Sequence, residues 1–546
     1  MRAPAARKGN SVDVFLAAIC LVMLVLIGSR EGWGKVLKIT AAWFLFSVGM
    51  MEIFLLSGHQ RHFRIWLPSY FSVFGPLQWC AWGIGLITYY VIGAKTRIAC
   101  WIRRLALLLL VCIPIPVIFL FIFRFGVNVL YWDQWRIVPI LARYLNGTLQ
   151  FSHLFEGIVE QREFFGTVIT LVTARLTHYN TCVEMYVNAC ILLLSFCVVL
   201  ASLKERAPLV GNLFFLAPIS YLMLGPNQIA NILYGAGLSW VLVHTCAIAS
   251  LYFLYSATKQ PARRKATCTL IVAMLLATVA TFSLSMGMCV WFAGCFLAGR
   301  RPRPVIGSWA ALGLLESLFY FHTPAFLAQM LAKPLAGAAS LPAANHVGYL
   351  SFFPLFLGSA VTGRFNSLAW GISLLSLSAV CLALLYAYGQ WRQNALWLSI
   401  LLFATCATLL IFVGRVCARA DLAEGLAHRY KIFAILIVAS LYMLMLNLRF
   451  AVRGNFVVTG SYAVLTCLIV IGAPVSFFNN LAYAQVQKSL YQKAASVLVD
   501  YEVQSDDVLQ ALYKEPQFVR KNAAVLKKLK YNVFSVQPQN MPKGAP

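Results

Sequence analysis

Runs of apolar residues long enough to cross a bilayer recur along almost the whole chain, and no soluble fold accommodates so many. A helix needs about 20 such residues to traverse the hydrocarbon core. Helices are the expected form there because the backbone must satisfy its own hydrogen bonds. The period-two alternation that a membrane β-barrel requires is absent. Composition agrees: 61% of the 546 residues are hydrophobic and 11% charged, against about 45–50% and about 25% in soluble domains. The first run, residues 12–28, lacks a small-residue cleavage site and is expected to anchor the chain.

Spanning helices are expected near residues 12–28, 37–57, 73–93, 105–124, 183–203, 209–224, 233–255, 267–281, 287–298, 305–321, 367–387, 395–414, 431–448 and 455–474. With one of the early segments allowed not to span, this makes an all-α polytopic membrane protein of about 12–14 transmembrane helices. The net charge of +27 follows the same plan. Lysines and arginines sit in short clusters between apolar runs: Lys95, Arg97, Arg103 and Arg104; Lys259, Arg263, Arg264 and Lys265; Arg300, Arg301 and Arg303. Cytoplasmic loops carry such clusters, so the charge points to membrane topology and not to nucleic acid. Residues 125–166, 225–232, 282–286, 322–350, 415–430 and the tail are then expected outside. The same assignment makes 164–178 interfacial or re-entrant.

Residues 475–546 break the apolar pattern. They hold Asp500, Glu502, Asp506, Asp507 and Glu515, with Leu509, Leu512, Val519 and Leu526 on successive helical turns. This reads as a small soluble C-terminal cap. The 15 cysteines lie nearly all inside apolar runs, with no C-x-x-C and no zinc spacing. They read as apolar fillers, and Cys182 and Cys417, both in outer loops, are a candidate pair.

Outside the tail, acidic residues are scarce, and Asp133, Glu156, Glu160 and Glu163 share one outer loop, 125–166. Tyr131, Trp132 and Trp135 surround Asp133. The arrangement has two readings: an interfacial aromatic belt beside a solvated acid, or a sugar platform with the acid as general base. Polar residues recur at other outer turns: Pro226, Asn227, Gln228 and Asn231; Ser283 and Ser285; and Arg415, Arg419, His428, Arg429 and Tyr430. Several polar turns on one side point to a shared outer cavity. Arginine there suits a phosphate held bidentately, or else snorkels at the interface.

The run Tyr131-Trp132-Asp133-Gln134-Trp135, followed by Val159-Glu160-Gln161-Arg162-Glu163-Phe164-Phe165, resembles bacterial multi-spanning glycosyltransferases of the GT-C architecture. These include relatives of the O-antigen serotype-converting glucosyltransferases. Glu160 and Arg162 match the Glu and Arg of their N-E-H-R-x-F-F pattern, with Gln161 in place of its His. The stretch from Pro226 to Gly235 is similar to a P-x-Q-x-E-N-L-L-W-G turn, with Ala230 replacing Glu. Ser283-Leu284-Ser285-Met286-Gly287 is similar to S-x-A-N-G, with Met286 replacing Asn. Gly425 to Tyr430 resembles the family's R-Y signature, and the tail from Leu512 to Phe534 its L-Y-x-x-P-x-x-V ending.

The resemblance covers roughly residues 105–535. It implies a GT-C-like helical bundle with an N-terminal transmembrane extension (1–104), a catalytic transmembrane region (105–474) carrying outer loop 125–166, and the extracytoplasmic tail (475–546). The expected reaction transfers a sugar from a polyprenyl-phosphate donor to a glycan or lipid-linked acceptor, at the outer face of a bacterial cytoplasmic membrane. The implied catalytic residues are Asp133 as general base, with Glu160 and Arg162. Arg429 and Arg419 would hold the donor phosphate, and Trp132, Trp135, Gln228, Asn231 and Tyr430 would line the sugar and acceptor pocket. No organic cofactor is implied, and a divalent cation beside Asp133 and Glu160 stays open, since hard cations favour carboxylates. The competing readings are a flippase or transporter of lipid-linked sugars, for which the apolar-run acids Glu52 and Glu316 are the pointers, and an O-antigen polymerase or ligase.

Overall fold

The structure, a computed structural model, describes residues 97–155, 161–204, 213–260, 262–298, 303–322, 349–363, 367–417 and 421–535. The expected spans at 12–28, 37–57 and 73–93 lie outside the described residues, as does Glu52. Contacts divide the chain into one unit of Met1–Ile113 with Pro208–Ala217 and another of Pro114–Ala207 with Pro218–Pro546. The described residues of the first are α1 (Arg97–Cys112), Ile113 and residues 213–217 at the start of a helix that continues in the second; the site described below lies in the second.

The chain is all-helical among the described residues. Helices of more than one or two turns continue as α2 (Pro114–Phe125), α3 (Ile137–Leu145), α4 (Phe164–Thr177), α5 (Thr181–Lys204) and α6 (Leu213–Met223). They go on as α7 (Leu238–Lys259), α8 (Arg263–Thr281), α9 (Cys289–Ala298), α10 (Arg303–Tyr320) and α11 (Phe352–Thr362). The last are α12 (Ser367–Ala387), α13 (Ala395–Ile411), α14 (Lys431–Ala451), α15 (Phe456–Val499) and α16 (Pro516–Leu529). Among the described residues, 8 helices are long and apolar enough to cross a membrane. The protein is an all-α, multi-pass membrane protein.

Burial sorts these helices. α14 is apolar all round and enclosed from Lys431 to Leu448, as a helix at the centre of a bundle must be. α12 instead buries only a narrow stripe, Ser367, Gly371, Leu374, Cys381 and Leu385. Its stripe meets α11 at very short range, because a Cβ at Gly371 would collide with the Pro354 carbonyl and one at Gly358 with the Ser367 carbonyl. Small residues permit such close helix contact where lipid supplies no hydrophobic drive.

Three elements differ from expectation. The helix expected to stop at 474 passes Pro474 and runs to Val499; its 44 residues span about 66 Å, twice what the hydrocarbon core needs. α11 falls in a stretch expected to be connection. The helix expected from 233 begins at Leu238, because Gly235 and Gly237 lie in a tight turn against Glu184 and the Asn231 carbonyl. The expected re-entrant segment is α4, whose 14 residues cover about 21 Å, too short to cross. Its two ends are tied to the 282 turn through Phe165 N–H to the Phe282 carbonyl, and to residue 532 through Asn532 N–H to the His178 carbonyl.

Beyond the membrane length of α15 the chain folds back as a cap. Leu498, Tyr501, Leu509, Leu512, Val519 and Leu526 share one buried cluster with Leu130, Trp135, Val138 and Leu141 of the first loop. Polar bonds fix the register: Trp132 N–H donates to the Leu512 carbonyl at 2.9 Å, and Arg136 Nε donates to the Tyr513 hydroxyl at 2.8 Å. Asn532 Nδ2 reaches Asn128 Oδ1 at 2.8 Å and the Tyr179 carbonyl at 2.9 Å. Cys182 and Cys417 are both free thiols and do not pair; Cys182 packs against Gly126, while Cys417 ends the irregular turn that follows α13.

Asn532 is fully buried, and although Asn128 Oδ1 keeps its bonds from Thr181, Asn532→Ala strands the Tyr179 carbonyl and is expected to destabilise the protein by about 1–3 kcal/mol. A thermal melt in detergent that matches wild type would overturn this.

Candidate functional site

Three turns distant in sequence meet at one end of the bundle. The first is Trp132–Arg136, entered through Trp132 at φ +49°, a left-handed conformation unusual for a bulky side chain and a form of strain often found at functional sites. Gln134 pins this turn from beneath. Its Oε1 accepts from Tyr131 N–H at 3.3 Å, its Nε2 donates to Glu184 Oε2 at 3.2 Å, and its carbonyl accepts from the Tyr179 hydroxyl at 3.5 Å. Asp133, between them, is exposed.

The second turn runs from Pro226 to Gly237. Asn188 of α5 donates to the carbonyls of Asn231 and Tyr234 at 3.0 Å each. Asn227 donates to the Ala360 carbonyl at 2.6 Å and accepts from Ser476 and Asn480. The third turn, His428–Tyr430, is joined to the second by Asn231 Nδ2 donating to the Arg429 carbonyl at 3.1 Å. The first and second are joined by the Tyr234 hydroxyl donating to the Tyr131 carbonyl at 3.2 Å.

Tyr234 therefore marks where the turns converge. Burial pushes its hydroxyl well above the usual range; Asp133, Tyr491 and Glu163 add to the shift, and Arg429 opposes it. Asp133, Glu163 and Arg429 thus all lie near enough to act on one tyrosine. Arg429 donates from Nη2 to Glu424 Oε1 at 3.0 Å and to its neighbour's hydroxyl on Tyr430 at 3.2 Å, and its side chain stays 42% exposed.

The expected site residues separate into groups. Asp133, Gln228, Asn231, Arg429 and Tyr430 belong to the joined turns. Gln228 and Asn231 are buried, and Gln228 Nε2 and Asn231 Oδ1 have no partner among the described residues, buried polar groups of the kind that are ordinarily satisfied. Trp132 stands open to solvent, whereas Trp135 is fully buried in the core shared with the cap. The left-handed residue at 132 turns the two indoles to opposite sides. Arg162 is also buried; its Nε and Nη1 donate to the carbonyls of Tyr320 and Phe155 at 2.7 and 2.8 Å, which fixes the loop ahead of α4. Glu160 and Arg419 lie outside the described residues. Glu316 is braced, its carboxylate accepting from Thr278 and from Trp291 Nε1.

The structure adds residues that the sequence reading left out of the site: Glu163, Glu184, Gln134 and Tyr234. Glu163 Oε2 accepts from the Ser239 hydroxyl at 2.7 Å. Burial raises its carboxyl from the ordinary 4.5 to about 7, with the Ser239 bond opposing and Asp133 adding. Among the described residues no three His, Cys, Asp or Glu side chains gather as metal ligands would. No protein-family model, curated protein or solved structure matches this chain.

Two outcomes follow from this geometry. A Cβ at Gly235 would meet both the Glu184 carboxylate and the Gln134 amide, so Gly235→Ala is expected to lower stability by about 1–3 kcal/mol in a detergent melt. Glu163 binds its proton more tightly in the folded state, so its contribution to stability is whole below pH 4.5 and is lost as pH rises through about 7. The melting temperature of Glu163→Gln is expected to fall less over that window than that of wild type; parallel curves would refute it.

Proposed function

We propose that the protein is a GT-C-type glycosyltransferase that moves a sugar from a polyprenyl-phosphate donor to a glycan or lipid-linked acceptor at the outer face of a bacterial cytoplasmic membrane. The observation that carries this reading is the meeting of three turns that bring an exposed carboxylate, Asp133, and a part-exposed guanidinium, Arg429, to the same tyrosine at one end of a membrane bundle. The basic ends of α7 and α14, Lys259 and Arg449, lie a full helix length away, at the opposite ends of those helices. A lipid-borne donor enters through the bilayer, which suits a site at the membrane boundary.

In the reaction, Asp133 takes the proton from the acceptor hydroxyl as its oxygen attacks the anomeric carbon. The bond from that carbon to the phosphate oxygen breaks, and its electron pair leaves with the polyprenyl phosphate. The configuration inverts. Arg429 exchanges its bond to Glu424 for the departing phosphate and stabilises charge that grows in the transition state. Gln228 and Asn231 offer an unused donor and acceptor to the sugar, and Trp132 offers an open aromatic face. General base catalysis contributes typically about 10²–10⁴-fold.

Asp133→Asn is therefore expected to abolish transfer from a labelled polyprenyl-phosphate hexose in proteoliposomes while leaving expression and membrane insertion intact. Near-normal transfer by that variant would remove Asp133 from the role. If wild type instead carries the labelled donor across the bilayer without transfer, the flippase reading replaces this one.

A further inference from the structure

Glu163 is held more tightly than its place in a surface loop requires. Every neighbour in its segment is fixed to another element. Gln161 Oε1 accepts from Ser285 N–H at 2.8 Å. Arg162 N–H donates to the Tyr320 hydroxyl at 3.0 Å, and Phe165 N–H to the Phe282 carbonyl at 3.3 Å. The carbonyl of Glu163 accepts the first bond of α4, from Thr167 N–H at 2.8 Å. Its side chain meets Ser239, which is buried in the first turn of α7. Gly166 makes that meeting possible, because a Cβ there would collide with the Ser239 hydroxyl. Bracing of this kind preorganises a carboxyl for a ligand.

The direction of the Ser239 bond fixes the rest. The Ser239 hydroxyl has no other acceptor among the described residues, so its O–H is spent on Oε2 and a proton carried by a neutral Glu163 sits on Oε1. Among the described residues Oε1 has no hydrogen-bond partner, and the residue is part-exposed. The groups that face it are Asp133 from the first turn, Tyr234 from the second, Tyr320 from α10 and Ser239 from α7. The one cation close in sequence, Arg162, spends its guanidinium on the Tyr320 and Phe155 carbonyls. Burial at the Ser239 contact favours the neutral form of Glu163, and Asp133 nearby adds to that preference.

We propose that Glu163, set by Ser239, is an acceptor-binding carboxylic acid that donates a hydrogen bond from Oε1 to a hydroxyl beside the one that attacks. The site is thereby selective for acceptors carrying two neighbouring hydroxyls. This rests on the transferase reading. The proton of Glu163 is not transferred: the attacking hydroxyl loses its proton to Asp133, the new carbon–oxygen bond forms, and the phosphate departs with the broken pair, while Glu163 stays neutral throughout. A site built to bond a substrate hydroxyl discriminates strongly against the analogue that lacks it.

The test compares Glu163→Gln with Glu163→Ala in proteoliposomes, using a labelled polyprenyl-phosphate hexose and paired acceptors, a glycoside with a vicinal diol and its deoxy analogue. A glutamine amide keeps a donor, and an alanine does not. Glu163→Ala is expected to lower acceptor kcat/KM by about 30-fold and to erase the preference for the diol. Glu163→Gln is expected to keep most of the activity and the preference. Wild type should lose activity on the alkaline side of about pH 7, and Glu163→Gln should not. A wild-type-minus-Glu163→Gln infrared difference spectrum at about pH 6 is expected to hold a carboxylic-acid C=O band, since other buried carboxyls such as Glu184 contribute equally to both proteins; it reads the protonation independently of turnover. Equal losses in the two variants, an unchanged diol preference in Glu163→Ala, or no such band would overturn the proposal while transfer itself persists. Wild type that transfers sugar to no acceptor would overturn the underlying reading instead.

Discussion

Backbone groups that leave a helix near hydrocarbon must find partners inside the protein, and in this chain a few buried amides supply them. Asn188 alone, from the middle of α5, serves the carbonyls of Asn231 and Tyr234. Asn227 links the same turn to α11 and α15, and Asn231 links it to the third turn. Without these bonds the short helical pieces between Pro226 and Gly237 would have no partners for the backbone groups left between them, and the three turns would lose what joins them. The irregular backbone that makes a site possible is itself made possible by apolar packing around polar side chains.

Much of this architecture was legible in the sequence, because a bilayer imposes a length and a polarity that any spanning segment must meet. α5, α8, α12, α13 and α14 lie where apolar runs predict them. α15 was misjudged at its far end: the sequence turns polar past Pro474, but a helix outside the membrane needs no apolar surround, and one amphipathic face buried against the cap keeps it helical. α11 was missed because its 11 residues fall short of a span, and what holds it is contact at Gly358 with a neighbour not visible in its own periodicity.

The candidate site was legible in part, for a related reason. Gln228, Asn231 and Arg429 stand out because lipid-facing turns do not need them, and Asp133 because acids are rare. Glu184 gave no such signal, as an acid in the first turn of a helix is ordinary, and only the fold brings it under Gln134. Trp132 and Trp135 look equivalent in sequence, and three residues apart on a 3₁₀ turn they would share one side. The left-handed backbone at Trp132 accompanies the difference, and the amide of that residue is bonded to a carbonyl from far along the chain.

That contact, the amide of Trp132 against the carbonyl of Leu512, has a consequence for how the protein is made. The strained turn is translated early and its partner late, after every membrane segment between them. Until α15 has carried the cap to it, the turn has its Gln134 and Tyr234 bonds but lacks the one at the Trp132 amide. The cap is thus a completion step: a chain inserted only through the helices before it carries the turn without the bond that closes it.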